Sequence, residues 1–143
     1  LEHFEALLNT QTQKLNSNKL KDYNSLVFAY MGDSIHSLFV REYFILQSNA
    51  KAGALHLKTS QFVKASAQAK MLDAILHELT ETELQIVKTA RNCHQKTTPK
   101  NANLEDYKKA SAFEALLGYL YLNGQNNRLF DLLNKTIKFM EQL

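Results

Sequence analysis

The amino-acid sequence predicts an all-α fold, and three observations carry that prediction. Apolar residues recur every three to four positions along most of the chain, the period of a helix packed on one side. One proline and four glycines in 143 residues are too few for the frequent turns of a sandwich or barrel. Residues 110–122 are apolar nearly all the way round, as a helix enclosed by others must be.

Taken in order, Leu1, Phe4, Leu7, Leu8 and Leu15 define a first amphipathic helix over 1–15, and the polar run 16–22 a loop. Asn24 or Ser25 can accept from the free amides of a long second helix that runs to about Gln47. Along it, Val27, Phe28, Met31, Ile35, Leu38 and Phe39 form one apolar arc expected to face the core. Asp33 lies on the opposite stripe with Ala29, His36 and Ser37, directly after Gly32. The stripe reads as a carboxylate in a clearing of small residues, with room for a metal, its waters and a phosphate.

After a break at 48–50 and Gly53, a third helix is expected from Ala54 to about Glu78, offering Leu55, Phe62, Val63, Ala69, Leu72, Ile75 and Leu76 for packing. Ala65, Ala67 and Ala69 favour helix and allow close approach. Thr80 and Glu83 have the spacing of a capping box, so a fourth helix starts near residue 81 and ends near Asn92. Residues 91–101 lack an apolar period, contain Pro99 and are rich in donors suited to phosphates and base edges. Asn103 caps the next helix, with Glu105 and Asp106 well placed in its first turn. Glu114 is the one charge in its apolar stretch, sharing a stripe with Tyr107, Ala110, Ser111 and Gly118. Asn123-Gly124 stops that helix, and Leu129, Leu132, Leu133, Ile137 and Met140 define a last one.

The length fits one domain over 1–143 with a substantial core. Hydrophobic residues make up 45% and charged residues 22%, and no apolar run reaches the roughly 18 residues of a membrane span. A soluble, cytoplasmic protein is expected, with no secretory signal and a lone Cys93 that excludes an internal disulfide. Zinc is disfavoured, because Cys93 and His94 are adjacent and no second cysteine could complete a site. The net charge of +3 is modest, but its distribution is not. Residues 43–72 contain Lys51, Lys58, Lys64 and Lys70 and no Asp or Glu. Residues 84–104 contain Lys88, Arg91, Lys96 and Lys100 and no acid. Both blocks can attract a polyanion, or simply be solvated lysine-bearing faces.

Burying a carboxylate alone costs several kcal/mol, comparable with the roughly 1.5–3 kcal/mol gained by burying one Leu or Phe, so Glu114 needs a cation, a metal or water. Asp33 and Glu114 are each the lone acid on a small-residue stripe of a core helix. They are therefore expected to face each other and share a hard cation. Mg²⁺ suits them, since it takes oxygen ligands and commonly uses one or two carboxylates beside substrate phosphates. For either acid alone, a hydrogen bond to Tyr, Ser or Lys within the fold competes with this account.

The run Tyr30-Met31-Gly32-Asp33-Ser34-Ile35, followed by Phe113-Glu114-Ala115-Leu116-Leu117-Gly118, resembles the two signature helices of the ribonuclease III catalytic domain. Leu55-His56-Leu57-Lys58-Thr59, Val63-Lys64-Ala65-Ser66-Ala67-Gln68-Ala69, Arg91-Asn92 and Pro99-Lys100-Asn101-Ala102 extend the likeness to the short bacterial branch, Mini-ribonuclease III. The resemblance implies an all-helical, dimeric endonuclease-domain bundle without an appended double-stranded-RNA-binding domain. It implies cleavage of double-stranded RNA with Mg²⁺ at Asp33 and Glu114, typically in maturing 23S ribosomal RNA precursor ends. A homodimer, and a ribosomal protein or particle as partner, are implied with it. Ribonuclease III proper carries two further acids where this chain has Ala29 and Ser111, and the short branch is similarly reduced. Those two residues also suit a silent relative that binds structured RNA or a ribosomal particle, and a helical adaptor is a third reading. Lys58, Lys64, Arg91, Lys96, Thr98 and Lys100 are the candidates for RNA contact, while His36 and His56 read as packing or RNA-contact residues. The helix at 108–122 and the helix bearing Asp33 are the candidates for a dimer interface.

Overall fold

The computed structural model describes residues 17–93 and 103–142, together with residues 2, 3 and 6. Among them the helices are α1 (Ser17–Leu20), α2 (Ser25–Gln47), α3 (Ala52–Val63), α4 (Ala65–Ile75), α5 (Glu81–Arg91), α6 (Leu104–Leu122) and α7 (Asn126–Glu141). A single 3₁₀ turn, Leu76–Glu78, links α4 to α5. Apart from residues 2, 3 and 6 the helix expected over 1–15 lies outside the described residues, as does the loop expected at 91–101 from residue 94 onward. Within the expected loop at 16–22 the chain makes the short α1 instead, because Leu20, 2% exposed, is drawn into the core and closes a turn there.

α6 is the axis of the bundle, with α2, α4, α5 and α7 packed around it. Ala112, Phe113, Ala115, Leu116, Leu117 and Leu120 are fully enclosed, which is why the sequence is apolar around the whole helix. That burial consumes most of the apolar surplus of 108–122 inside the subunit. The caps follow the sequence. Asn24 accepts from the Leu26 amide at 2.8 Å. Asn103 accepts from Glu105 and Asp106 at 2.9 and 3.2 Å, and the Thr80–Glu83 box closes at 3.0 and 3.2 Å. Gly124, at φ 79°, ends α6 in a conformation that a side chain would strain.

Two expectations are corrected. The single third helix is two, because Lys64 is extended (φ −69°, ψ 156°), ending α3 and starting α4. A straight helix over 54–78 would run close to 40 Å, longer than a domain of this size is wide. The break lets α3 lie along α2 while α4 turns to follow α6, and it leaves Leu76 39% exposed in the 3₁₀ turn. The apolar arc of α2 is also turned. Its buried residues are Ser25, Phe28, Gly32, Ile35, His36 and Val40, a face rotated by roughly 80° from the expected one. Val27 and Leu38 stay 43% and 38% exposed. The small residues on α2, not its largest ones, decide where α6 comes closest.

At the far side of α6, Arg128 on α7 ties the α5 cap in place. Its guanidinium donates to both Glu83 oxygens at 2.8 and 2.9 Å and to the Glu78 carbonyl at 2.9 Å. Glu83 is thereby held below the usual carboxylate range, the hydrogen bonds outweighing its burial.

Candidate active site

The site begins with two backbones in contact. A Cβ added at Gly32 would lie 1.7 Å from the Glu114 carbonyl oxygen, and one at Gly118 would lie 1.9 Å from the Phe28 carbonyl oxygen. Each glycine on one helix therefore receives the main chain of the other, and no side chain fits at either point. Ala110 and Ser111 are buried as well, at 4% and 7% exposure. At the two glycines the clearing is thus not open space for a ligand, because the opposing backbone fills it, whereas Ala29 and Ser37 beside Asp33 stay partly exposed. What the close crossing produces is proximity: Asp33, the next residue after Gly32, is brought into hydrogen-bonding distance of the Glu114 carboxyl.

Asp33 is exposed at the mouth, and Glu114 lies half-buried behind it. Burial pushes the Glu114 carboxyl up to about 9, assisted by its hydrogen bond to Asp33 and by the Asp33 charge, while a hydrogen bond from Gln68 works the other way. Near neutral pH the cation-free Glu114 carboxyl accordingly keeps its proton. Two facing carboxyls, one reluctant to ionise, are a hard-oxygen donor set lacking only positive charge, so a small divalent cation fits them. No third His, Cys, Asp or Glu completes a cluster with them among the described residues.

Behind the pair lies a second layer that sequence reasoning passed over. Gln68, 2% exposed on α4, places its amide nitrogen 2.9 Å from Nδ1 of His36, which is fully buried one turn along α2 from Asp33. The His36 ring stands edge-to-face against Phe113, with ring centres 5.1 Å apart. Burial pushes this imidazole down to about 4 against the opposing pull of Asp33, so it is neutral near pH 7. A signal was available: Gln68 is the lone uncharged amide inside an Ala-rich helix face that otherwise packs on the core.

The basic candidates are dispersed. Lys58 and Lys64 are exposed on α3 and at the α3–α4 junction, with Lys64 Nζ 3.1 Å from the Gln61 side-chain oxygen. Arg91 pairs with Glu105 across α5 and α6. Lys96, Thr98 and Lys100 lie outside the described residues. His56 is exposed on α3.

This geometry has counterparts. The Ribonuclease III domain family matches residues 26–125, a span that contains both carboxylates. The chain is 37% identical over 131 residues to Mini-ribonuclease 3 of Clostridium tetani, covering 91% of this chain and 87% of that protein. It is 38% identical over 131 residues to Mini-ribonuclease 3 of a Thermoanaerobacter species, covering 92% of each. The X-ray structure of a Fusobacterium nucleatum protein superposes with a TM-score of 0.77 at 31% identity, covering 85% of this chain and 97% of that one. The chain therefore belongs to the ribonuclease III family of endoribonucleases, in the branch of the Mini-ribonuclease 3 proteins.

Proposed function

We propose that this protein hydrolyses phosphodiesters in double-stranded RNA using Mg²⁺ held by Asp33 and Glu114, and that its substrates are 23S ribosomal RNA precursor ends. The observation that carries the reading is the pairing of the Asp33 and Glu114 carboxyls at the α2–α6 crossing. The ribosomal assignment rests on the likeness to the short branch.

Mg²⁺ bound there supplies Lewis acidity, acidifying water and offsetting the charge that builds on the phosphate. The chain supplies the rest. Asp33, at the solvent-facing mouth, and Glu114, behind it, present the ligand oxygens. Glu114 would have to surrender its proton as the site loads, so metal affinity would rise with pH. The Gly32–Gly118 contact fixes the separation of the two carboxylates. Enclosed Phe113 and His36 keep bulk water from the rear of Glu114. Lys58 and Lys64, joined by Arg91, Lys96, Thr98 and Lys100, are assigned to the phosphates and 2′-hydroxyls through which A-form RNA is recognised.

Cutting both strands needs two such sites, so we assign a homodimer. Val27, Tyr30, Leu38 and Ile45 recur at helical spacing along the outer side of α2 and are 43%, 81%, 38% and 59% exposed, which suits that interface. The setting is cytoplasmic, with ribosomal particles as associates; the lone Cys93 supports a reducing compartment. Among the described residues no helix is long and apolar enough to cross a membrane.

The test is incubation of the purified protein with duplex RNA, with and without Mg²⁺, beside Asp33→Asn and Glu114→Gln. Wild type should cut only with the cation, and both variants should bind duplex without cutting it. Cleavage by either variant refutes the site. Binding without cleavage by wild type refutes the reaction and leaves an RNA-binding relative.

A further inference from the structure

We propose that Gln68 is a positioning residue for Glu114: one hydrogen of its amide bonds the Glu114 carboxyl, and the other is held by Nδ1 of His36, so the orientation of the acid is set from the core. The inference rests on the role proposed above for the Asp33–Glu114 pair and adds two residues to it.

The geometry is one-sided in a telling way. Gln68 Nε2 lies 2.9 Å from His36 Nδ1, and the same side chain is hydrogen-bonded to Glu114. An amide nitrogen with two hydrogens can serve both only if Nδ1 accepts, which places the imidazole hydrogen on Nε2. His36 Nε2 is buried and has no partner among the described residues. A residue present only for packing would be better apolar, because an unsatisfied buried N–H destabilises the fold. The fold tolerates it where the other ring nitrogen is occupied with Gln68. Both residues are almost wholly enclosed, Gln68 at 2% and His36 at 0% exposure, so neither can reach RNA and each acts through Glu114. Partners of this kind behind a ligand set its direction and its basicity.

The variants are Gln68→Met, which keeps length and loses the amide; His36→Asn, whose side-chain oxygen can replace Nδ1 as the acceptor; and His36→Leu, which cannot accept. Three readouts apply to each: Mn²⁺ binding to the RNA-free protein by calorimetry, kcat and KM on duplex RNA, and the unfolding temperature in EDTA. Gln68→Met should bind Mn²⁺ about 10- to 100-fold more weakly and lose kcat in proportion, with KM for RNA changed by less than about twofold. His36→Leu should match it, and His36→Asn should stay near wild type. Wild-type Mn²⁺ affinity and kcat in Gln68→Met overturn the inference, as does a His36→Asn as damaging as His36→Leu. If Gln68→Met does not fold, the contrast between the two His36 variants decides on the same readouts. Glu114→Gln separates the two levels. Retained cleavage there removes the underlying reading, whereas lost cleavage there beside an intact Gln68→Met removes only the positioning role.

Discussion

Replacing Glu114 with Gln should stabilise the cation-free protein, and increasingly so as pH rises. In the fold the Glu114 carboxyl is pushed up to about 9 from an ordinary 4.5, burial being the main cause and Asp33 the second. The folded state thus holds a proton that the unfolded chain releases. The stabilisation this gives is complete below pH 4.5 and is lost as pH climbs toward 9. Linkage allows about 1.4 kcal/mol per pH unit, hence nearly 3 kcal/mol between pH 6.5 and 8.5. Glu114 is partly exposed, so solvent screening reduces this to about 1–2 kcal/mol. The amide introduced by Glu114→Gln would not titrate, and it matches the site, accepting from Gln68 through its oxygen and donating to Asp33 through its nitrogen. Thermal unfolding in EDTA at pH 6.5, 7.5 and 8.5 measures the difference. Wild type should fall behind the variant by roughly 3–8 °C across that range. Saturating Mg²⁺ should close the gap, since the cation replaces the proton in wild type and has no second carboxylate to bind in the variant. Parallel curves for the two proteins over this window would refute the account of a Glu114 carboxyl that stays protonated in the fold.

Three other outcomes follow from different parts of the fold. His36, neutral in the core and pushed down to about 4, contributes stability that is present above pH 6.5 and lost as pH falls toward 4. Wild type should therefore lose about 3 kcal/mol more than His36→Asn over that range, read from urea unfolding at each pH. Gly32→Ala forces a Cβ onto the Glu114 carbonyl oxygen, 1.7 Å away. It should cost on the order of 3 kcal/mol in unfolding free energy and abolish calorimetric Mn²⁺ binding together, because one contact underlies both. Arg128→Met leaves the Glu83 carboxylate, 5% exposed, without its cation, and should lower unfolding free energy by about 3 kcal/mol. Adding Glu83→Gln should recover most of that loss, with the Thr80 cap retained.

Much of the fold was legible because local chemistry and tertiary demand agree. Asn24, Thr80 and Asn103 all cap helices where the sequence places them, since an N-cap is satisfied within three residues and needs nothing distant. The all-round apolarity of 110–122 identified the central helix for the same reason: enclosure on every side leaves no polar face to obscure it. The break at Lys64 was harder, because it carries neither glycine nor proline. Its trace is a phase slip. Extended at 3.6 residues per turn, the spacing of Leu55, Thr59 and Phe62 falls on Ser66, Ala69 and Asp73, whereas the buried residues of α4 are Ala67, Gln68, Ala69, Met71, Leu72 and Ile75, a face turned by roughly 150°. Composition alone hides that offset; phase reveals it.

The site divides along the same line. Asp33 and Glu114 stand out because a lone carboxylate in an apolar helix needs a reason, and the structure brings the two together at the α2–α6 crossing. The purpose of the small residues beside them was not legible, since space for a ligand and space for another backbone give one and the same sequence pattern. Distance decides between the two. At 1.7 and 1.9 Å, Gly32 and Gly118 leave no room for even a methyl group, so a ligand of the proposed site has to approach outside the crossing, on the side where Asp33 meets solvent. In the proposed site the residues that flank this approach are Ala29, one turn before Asp33 on α2, and Ser37, one turn after it, rather than either glycine. The glycines instead determine how far apart the carboxylates stand. In the proposed site that separation sets both how strongly the Asp33 charge bears on the Glu114 carboxyl and the span offered to a cation, which is why one methyl group at Gly32 should remove stability and metal binding in a single step.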